Sequence, residues 1–160
     1  MRINSKVLLA VAVMPLLFTA TAKAELNVFA CEAEYGALAK AIAPSADVYS
    51  ATTAMQDPHQ VQARPSLIAK MRQADLVVCA GADLEIGWLP MLQMKAANPQ
   101  VTSTDKGLFY AADQIDTLDK LTRVDRSMGD VHAKGNPHLH LDPQRMLTVA
   151  KALSVKMSEL

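Results

Sequence analysis

The sequence predicts an α/β fold: an open, mostly parallel four-stranded sheet with flanking helices, followed by a long helix. Two observations carry this. Short apolar, β-branched runs alternate with segments of helical spacing, in the order strand, helix, strand, helix, strand, helix, strand. Such alternation implies parallel strands joined by right-handed crossovers. Near the C-terminus, Asp142 and Pro143 supply an N-cap acid and a proline for the first helical position, ahead of a long apolar stripe.

Taken in order, Leu26 to Cys31 reads as the first strand, and Glu34 to Ile42 has the spacing of a short amphipathic helix. Asp47 to Thr53 is a β-branched and aromatic run, the second strand. Pro65 and Ser66 open a helix carrying Leu67, Ile68 and Met71, which stops before a third strand beginning at Asp75 and ended by Gly81. Leu84 to Ala97 reads as a helix broken or kinked at Pro90. Gln100 to Thr104 reads as the fourth strand, and residues 105–135 as a long loop or a short helix near Ile115 to Leu121. In the last helix Met146, Leu147, Ala150, Leu153, Met157 and Leu160 mark one apolar face. A stripe with no partner at the end of the chain suggests that a covering element is missing.

Residues 1–24 are expected to be a signal peptide. Arg2 and Lys6 form a positive start, Val7 to Phe18 is an apolar run interrupted by Pro15, and Ala22-Lys23-Ala24 has the small-x-small cleavage pattern. That run is too short to span a bilayer, which takes about 20 residues. Without Arg2, Lys6 and Lys23 the chain retains 13 basic against 16 acidic residues, a net charge of −3. Nucleic acid is therefore not an expected partner, and the product is expected outside the cytoplasm, not itself transmembrane after cleavage. Export also permits a disulfide. Cys31 and Cys79 each end a strand-like run, and in neighbouring parallel strands they would be level; the alternatives are two buried free thiols and, more remotely, thiolate ligation of a metal.

The chemistry concentrates in histidines. Three of the four, His132, His138 and His140, fall within nine residues, and His59 sits in Asp57-Pro58-His59, a near copy of Asn136-Pro137-His138. A neutral imidazole offers one lone pair to a metal while a second acceptor fixes its other N–H. The preceding proline limits the freedom of the residue presenting the ligand. His59 and His138 are 79 residues apart, so the fold must assemble the site, unlike a zinc finger. His59 follows the second strand, where ligands of open α/β sheets bind. A surface loop histidine is the bland alternative for each.

Glu32, Glu34 and Glu85, near strand ends or helix starts, are candidate second-layer acceptors. Met91 and Met94 resemble a copper-binding Met-x-x-Met pair but read as core at helical spacing, and Trp88 reads as a packing anchor. A hydrolase would need a different motif order, and no Gly-x-Ser-x-Gly elbow, His-Glu-x-x-His helix or phosphate-cradling glycine loop occurs.

Four blocks together resemble the periplasmic zinc- and manganese-binding receptors of ABC metal-uptake transporters, the zinc-uptake receptor and TroA-like family. They are Phe29 to Tyr35; Asp57-Pro58-His59 with Arg64-Pro65-Ser66; Asp75 to Glu85 with Trp88-Leu89-Pro90; and Asn136-Pro137-His138 with Leu141-Asp142-Pro143. The resemblance implies two α/β lobes joined by a rigid helix, with one metal in the cleft. It implies 25–141 as the N-terminal metal-binding lobe and 142–160 as the start of the bridging helix, the second lobe being absent. His59 and His138 match the N-lobe ligands; His140 stands where many members have an aromatic residue, and His132 lies outside the motif. The family's remaining ligands come from the second lobe, so two imidazoles alone imply weak zinc binding. The implied cargo is Zn2+, with Mn2+ or Fe2+ as alternatives, and the implied partner is an inner-membrane ABC permease that takes up metal from the periplasm. No bond is made or broken in such a role. The competing expectations are a metal-dependent hydrolase domain with Glu32 or Glu34 as base, and a standalone half-receptor acting as a periplasmic metal buffer.

Overall fold

A computed structural model of the chain describes residues 25–129 and 131–160. The signal-peptide expectation falls on residues 1–24, outside the described residues. Four strands form one all-parallel sheet: β1 (Asn27–Ala30), β2 (Asp47–Ser50), β3 (Leu76–Cys79) and β4 (Leu108–Tyr110), in the spatial order β2-β1-β3-β4. Helix α1 (Ala33–Ile42) connects β1 to β2, α2 (Pro65–Gln73) connects β2 to β3, and α3 (Leu89–Ala96) lies between β3 and β4. Helix α4 (Pro143–Ser158) closes the described chain.

The central strands are buried on both faces, which is why they read as unbroken apolar runs. Side chains alternate across the sheet. Val28, Ala30, Leu76, Val78 and Phe109 face one core with Tyr35 and Ala39 of α1 and Val149, Leu153 and Met157 of α4. Phe29, Val77 and Leu108 face the other with Leu67 and Met71 of α2 and Leu89 and Leu92 of α3. The result is helix, sheet, helix in three layers. No helix among the described residues is long and apolar enough to cross a membrane.

Four local readings need correction. The fourth strand is not Gln100 to Thr104. Pro99 has no N–H to give a ladder, and the Asn98 side chain accepts from Gln100 N at 3.0 Å, so Pro99–Val101 forms a 3-10 turn. The strand comes later, at Leu108–Tyr110, after Gly107, where a Cβ would stand 2.1 Å from the Asp75 carbonyl. Second, Pro90 does not kink a helix: residues 82–88 are turns, with Ala82 and Asp83 at φ of 51° and 69°, and Pro90 sits in the first turn of α3.

Third, Met91 and Met94 are not core. Leu89, Leu92 and Ala96 take the inward face of α3, which turns both methionines to the surface. Fourth, Ile115 to Leu121 is not helical: Asp119 is left-handed (φ 56°), and the segment bonds to the histidine loop through Leu121 N to Ala133 O and Asn136 N to Leu118 O. The stripe on α4 is also partly covered by the core of the described residues. Val149, Leu153 and Met157 are buried, whereas Leu147 and Leu160 are exposed.

Candidate metal centre

In the order β2-β1-β3-β4 the chain leaves β1 in one direction and β3 in the other, so a crevice opens beyond their carboxyl ends. At the carboxyl ends of β1 and β3 stands the disulfide Cys31–Cys79, with Cα atoms 4.8 Å apart. The register that pairs Ala30 with Val78 brings the next residues level. Two buried carboxyls lie beside the bridge. Ala80 N donates to Glu32 Oε2 at 3.1 Å, and Gly81 N donates to both oxygens of Glu85 at 3.2 Å. Burial first, then the adjacent Glu85, pushes Glu32 up to about 10, so at neutral pH the pair shares a proton. Burial likewise raises the Tyr35 hydroxyl, and Tyr35 Oη and Glu32 Oε1 have no hydrogen-bond partner among the described residues.

His59 is presented by the loop after β2. Asp57 Oδ1 accepts from His59 N at 2.9 Å and lies 2.7 Å from Nδ1. With Nδ1–H donating to that carboxylate, Nε2 keeps its lone pair. The loop is tethered where Trp88 Nε1 donates to the Pro58 carbonyl at 2.9 Å. Trp88 itself is buried against α3.

The other histidines arrive from the connection between β4 and α4. Gly135 bends it at φ 108°, where a Cβ would meet Thr117 Oγ1 at 2.3 Å; Thr117 Oγ1 donates to Lys134 O, and Lys134 pairs with Asp83 at 2.8 Å. The loop is thus tied to the turn after β3. It carries His132 to His59, Nε2 to Nε2 at 3.1 Å, with ring centroids 5.2 Å apart. Partial burial, then His59 and His138, lower the His132 pKa, while the Ala82 backbone opposes them. His138 N donates to Asn136 Oδ1 at 2.9 Å, the same turn that Asp57 makes with His59. The His138 ring lies edge-on to His140 at 5.9 Å, and His140 Nδ1 reaches Glu34 Oε1 at 3.2 Å. Asp142 then caps α4, accepting from Gln144 N and Arg145 N.

Of the sequence candidates, His59 meets His132 and His138 lies beside His140, with Glu34 next to His140; among the described residues the three ligand groups that converge within 4.8 Å are not histidines but Cys31, Cys79 and Glu85. Glu85 points instead at Gly81, Glu32 and the disulfide, with no histidine among its hydrogen-bond partners. A cavity of about 290 Å³ bounded by Gly81, Glu85, Tyr110 and Lys134 holds none of the histidines. Sequence reasoning missed Asp57 as the acceptor that orients His59. Its signal was available: an Asp two residues before the histidine can close an Asx turn onto that residue's N–H. Neutral imidazoles with carboxylates behind them suit divalent cations such as Zn, Mn or Fe.

Among proteins of curated function none matches the chain. Among solved structures, a crystal structure of ZnuA is 20% identical and superposes with a TM-score of 0.63, the match covering 84% of this chain and 48% of that one. A ZnuA deletion mutant with zinc bound is likewise 20% identical, with a TM-score of 0.63 and coverage of 84% and 46%. A mutant manganese-bound periplasmic metal-binding protein from Candidatus Liberibacter asiaticus is 20% identical, with a TM-score of 0.60 and coverage of 82% and 46%. At that identity the likeness shows the fold alone, and the chain spans about half the length of these proteins. The model of the family described as zinc-uptake complex component A, periplasmic, matches residues 28–160, and the chain belongs to that family.

Proposed function

We propose that the chain is the metal-capturing lobe of an extracytoplasmic receptor that takes up zinc, with manganese or iron as alternatives, and delivers it to an ABC permease. The observation that carries this is the meeting of two histidine loops, the one after β2 and the one before α4, at the carboxyl edge of the sheet. His59 and His138, each on an Asx-Pro-His turn, are the ligands the reading assigns, and Asp57 orients His59. Glu34 does the same for His140. Residues 1–24 act as an export signal, and the site works in the periplasm. Helix α4, capped by Asp142, begins the bridge to a second lobe that supplies further ligands. The zinc-bound and manganese-bound neighbours support the class of cargo without choosing between the metals.

The hydrolase alternative finds no support in the carboxyls. A general base must be ionised and within reach of a metal-bound water. Glu32 is buried beside Glu85 and holds its proton, and Glu34 is paired with His140. The test is calorimetric titration of the exported chain with Zn2+ and Mn2+. One ion per chain, lost on His59→Gln, supports the reading; because such sites generally bind Zn2+ more tightly than Mn2+, the relative affinity does not choose the cargo. Failure of both metals to bind refutes it.

A further inference from the structure

We infer that His132 is a metal ligand of the same standing as His59, so that this lobe grips its cargo between imidazoles of its own two loops; this rests on the metal-capture reading above. His132 lies outside both Asx-Pro-His turns, and nothing in the motifs assigns it a role. The assignment comes from geometry.

The two Nε2 atoms face each other at 3.1 Å. His59 Nδ1 stands 2.7 Å from the Asp57 carboxylate, which takes up its N–H and leaves a lone pair on Nε2 directed at His132. Two imidazole nitrogens on one tetrahedral zinc, each about 2.0 to 2.1 Å from the ion, stand about 3.3 Å apart. The observed separation is within a few tenths of an ångström of that edge. The rings are also nearly coplanar in orientation, 24° between planes. One ion can therefore sit off the shared edge without either ring turning over.

The pair is held by anchors that use neither ring. Pro58 accepts from Trp88 Nε1 on one side, while the Lys134–Asp83 ion pair and the Thr117 bond to Lys134 hold the other. Such anchoring fixes the loops before the ion arrives, which reduces the ordering cost of binding. His138 pairs edge-on with His140 at 5.9 Å rather than with this pair. Among the described residues the one trio of ligand groups within 4.8 Å of one another is Cys31, Cys79 and Glu85, so the grip is a two-imidazole one. The pair that geometry brings together in this lobe is thus His59 with His132.

The experiment is zinc titration of the exported chain against His132→Gln and His59→Gln, with Co2+ absorption as a second readout. Loss of an orienting partner of a ligand costs about 10- to 100-fold in affinity, so loss of a ligand itself is expected to cost at least that. His132→Gln is expected to weaken zinc by more than about tenfold, as His59→Gln does, and to weaken the visible Co2+ bands of a tetrahedral site, with an unchanged far-ultraviolet spectrum. If His132→Gln binds zinc and Co2+ like the wild type while His59→Gln does not, the contact is a hydrogen bond only and the inference falls, leaving the receptor reading intact. If the wild type binds neither ion, both fall.

Discussion

Glu32→Gln should stabilise the protein, and by more as the pH rises. In the folded chain Glu32 is buried beside Glu85 and is pushed up to about 10, whereas in the unfolded chain it titrates near its ordinary value of 4.5. Between those two values the folded state holds a proton that the unfolded state has lost. Stability therefore falls with rising pH across that window, by about 1.4 kcal/mol per pH unit for one proton. Glutamine keeps the shape, accepts from Ala80 N, donates to Glu85 and carries no proton to lose. Between about pH 6 and about pH 8 the advantage of the variant should grow by about 3 kcal/mol, or roughly 10 °C in melting temperature for a domain of this size. The assay is thermal unfolding by circular dichroism of both oxidised proteins in metal-free buffer. Groups common to both proteins cancel in the difference. A gap that stays constant with pH would show that Glu32 is ionised in the folded state and would refute the shared-proton account of the pair.

Three further outcomes are expected. Zinc affinity, followed by calorimetry, should fall as the pH drops from about 7.5 to about 5.5, since protonated imidazole cannot ligate; the lowered pKa of His132 should let it bind to a lower pH than an exposed histidine would. Gly107→Ala should cost about 3 kcal/mol or more in urea unfolding, because its Cβ would meet backbone, the Asp75 carbonyl at 2.1 Å and that of Gln100 at 3.0 Å. Replacing Cys31 and Cys79 together by alanine should destabilise the chain by about 4 kcal/mol by the loop-closure relation, the bridge spanning 48 residues. An unchanged urea midpoint would show that packing alone holds β1 against β3.

The strands that were legible are those buried on both faces. Leu26 to Cys31 and Leu76 to Cys79 announce themselves as continuous apolar runs, and the alternation of elements made the sheet parallel. β4 was not legible because three residues give no period, and its start depends on Gly107 fitting against Asp75, a contact 32 positions away in sequence. The Met91 and Met94 faces were misread because both sides of α3 are apolar, so periodicity could not choose the inward one. At the site, residue type revealed the histidines and turn chemistry revealed His59 and His138. That His132, not the adjacent motif residue, is the one meeting His59 depends on how Gly135 and the Lys134–Asp83 pair bend a loop of weak pattern.

The hydrogen bond from Trp88 to the Pro58 carbonyl gives the molecule an optical probe of its own loading. Trp88 is the single tryptophan, and it is 3% exposed with its indole N–H fixed to the peptide next to His59. Its emission should be blue-shifted by burial and sensitive to small changes in that one bond. Any shift of the His59 loop as an ion settles should therefore register in native fluorescence excited selectively at tryptophan, with no label and no second tryptophan to dilute the signal.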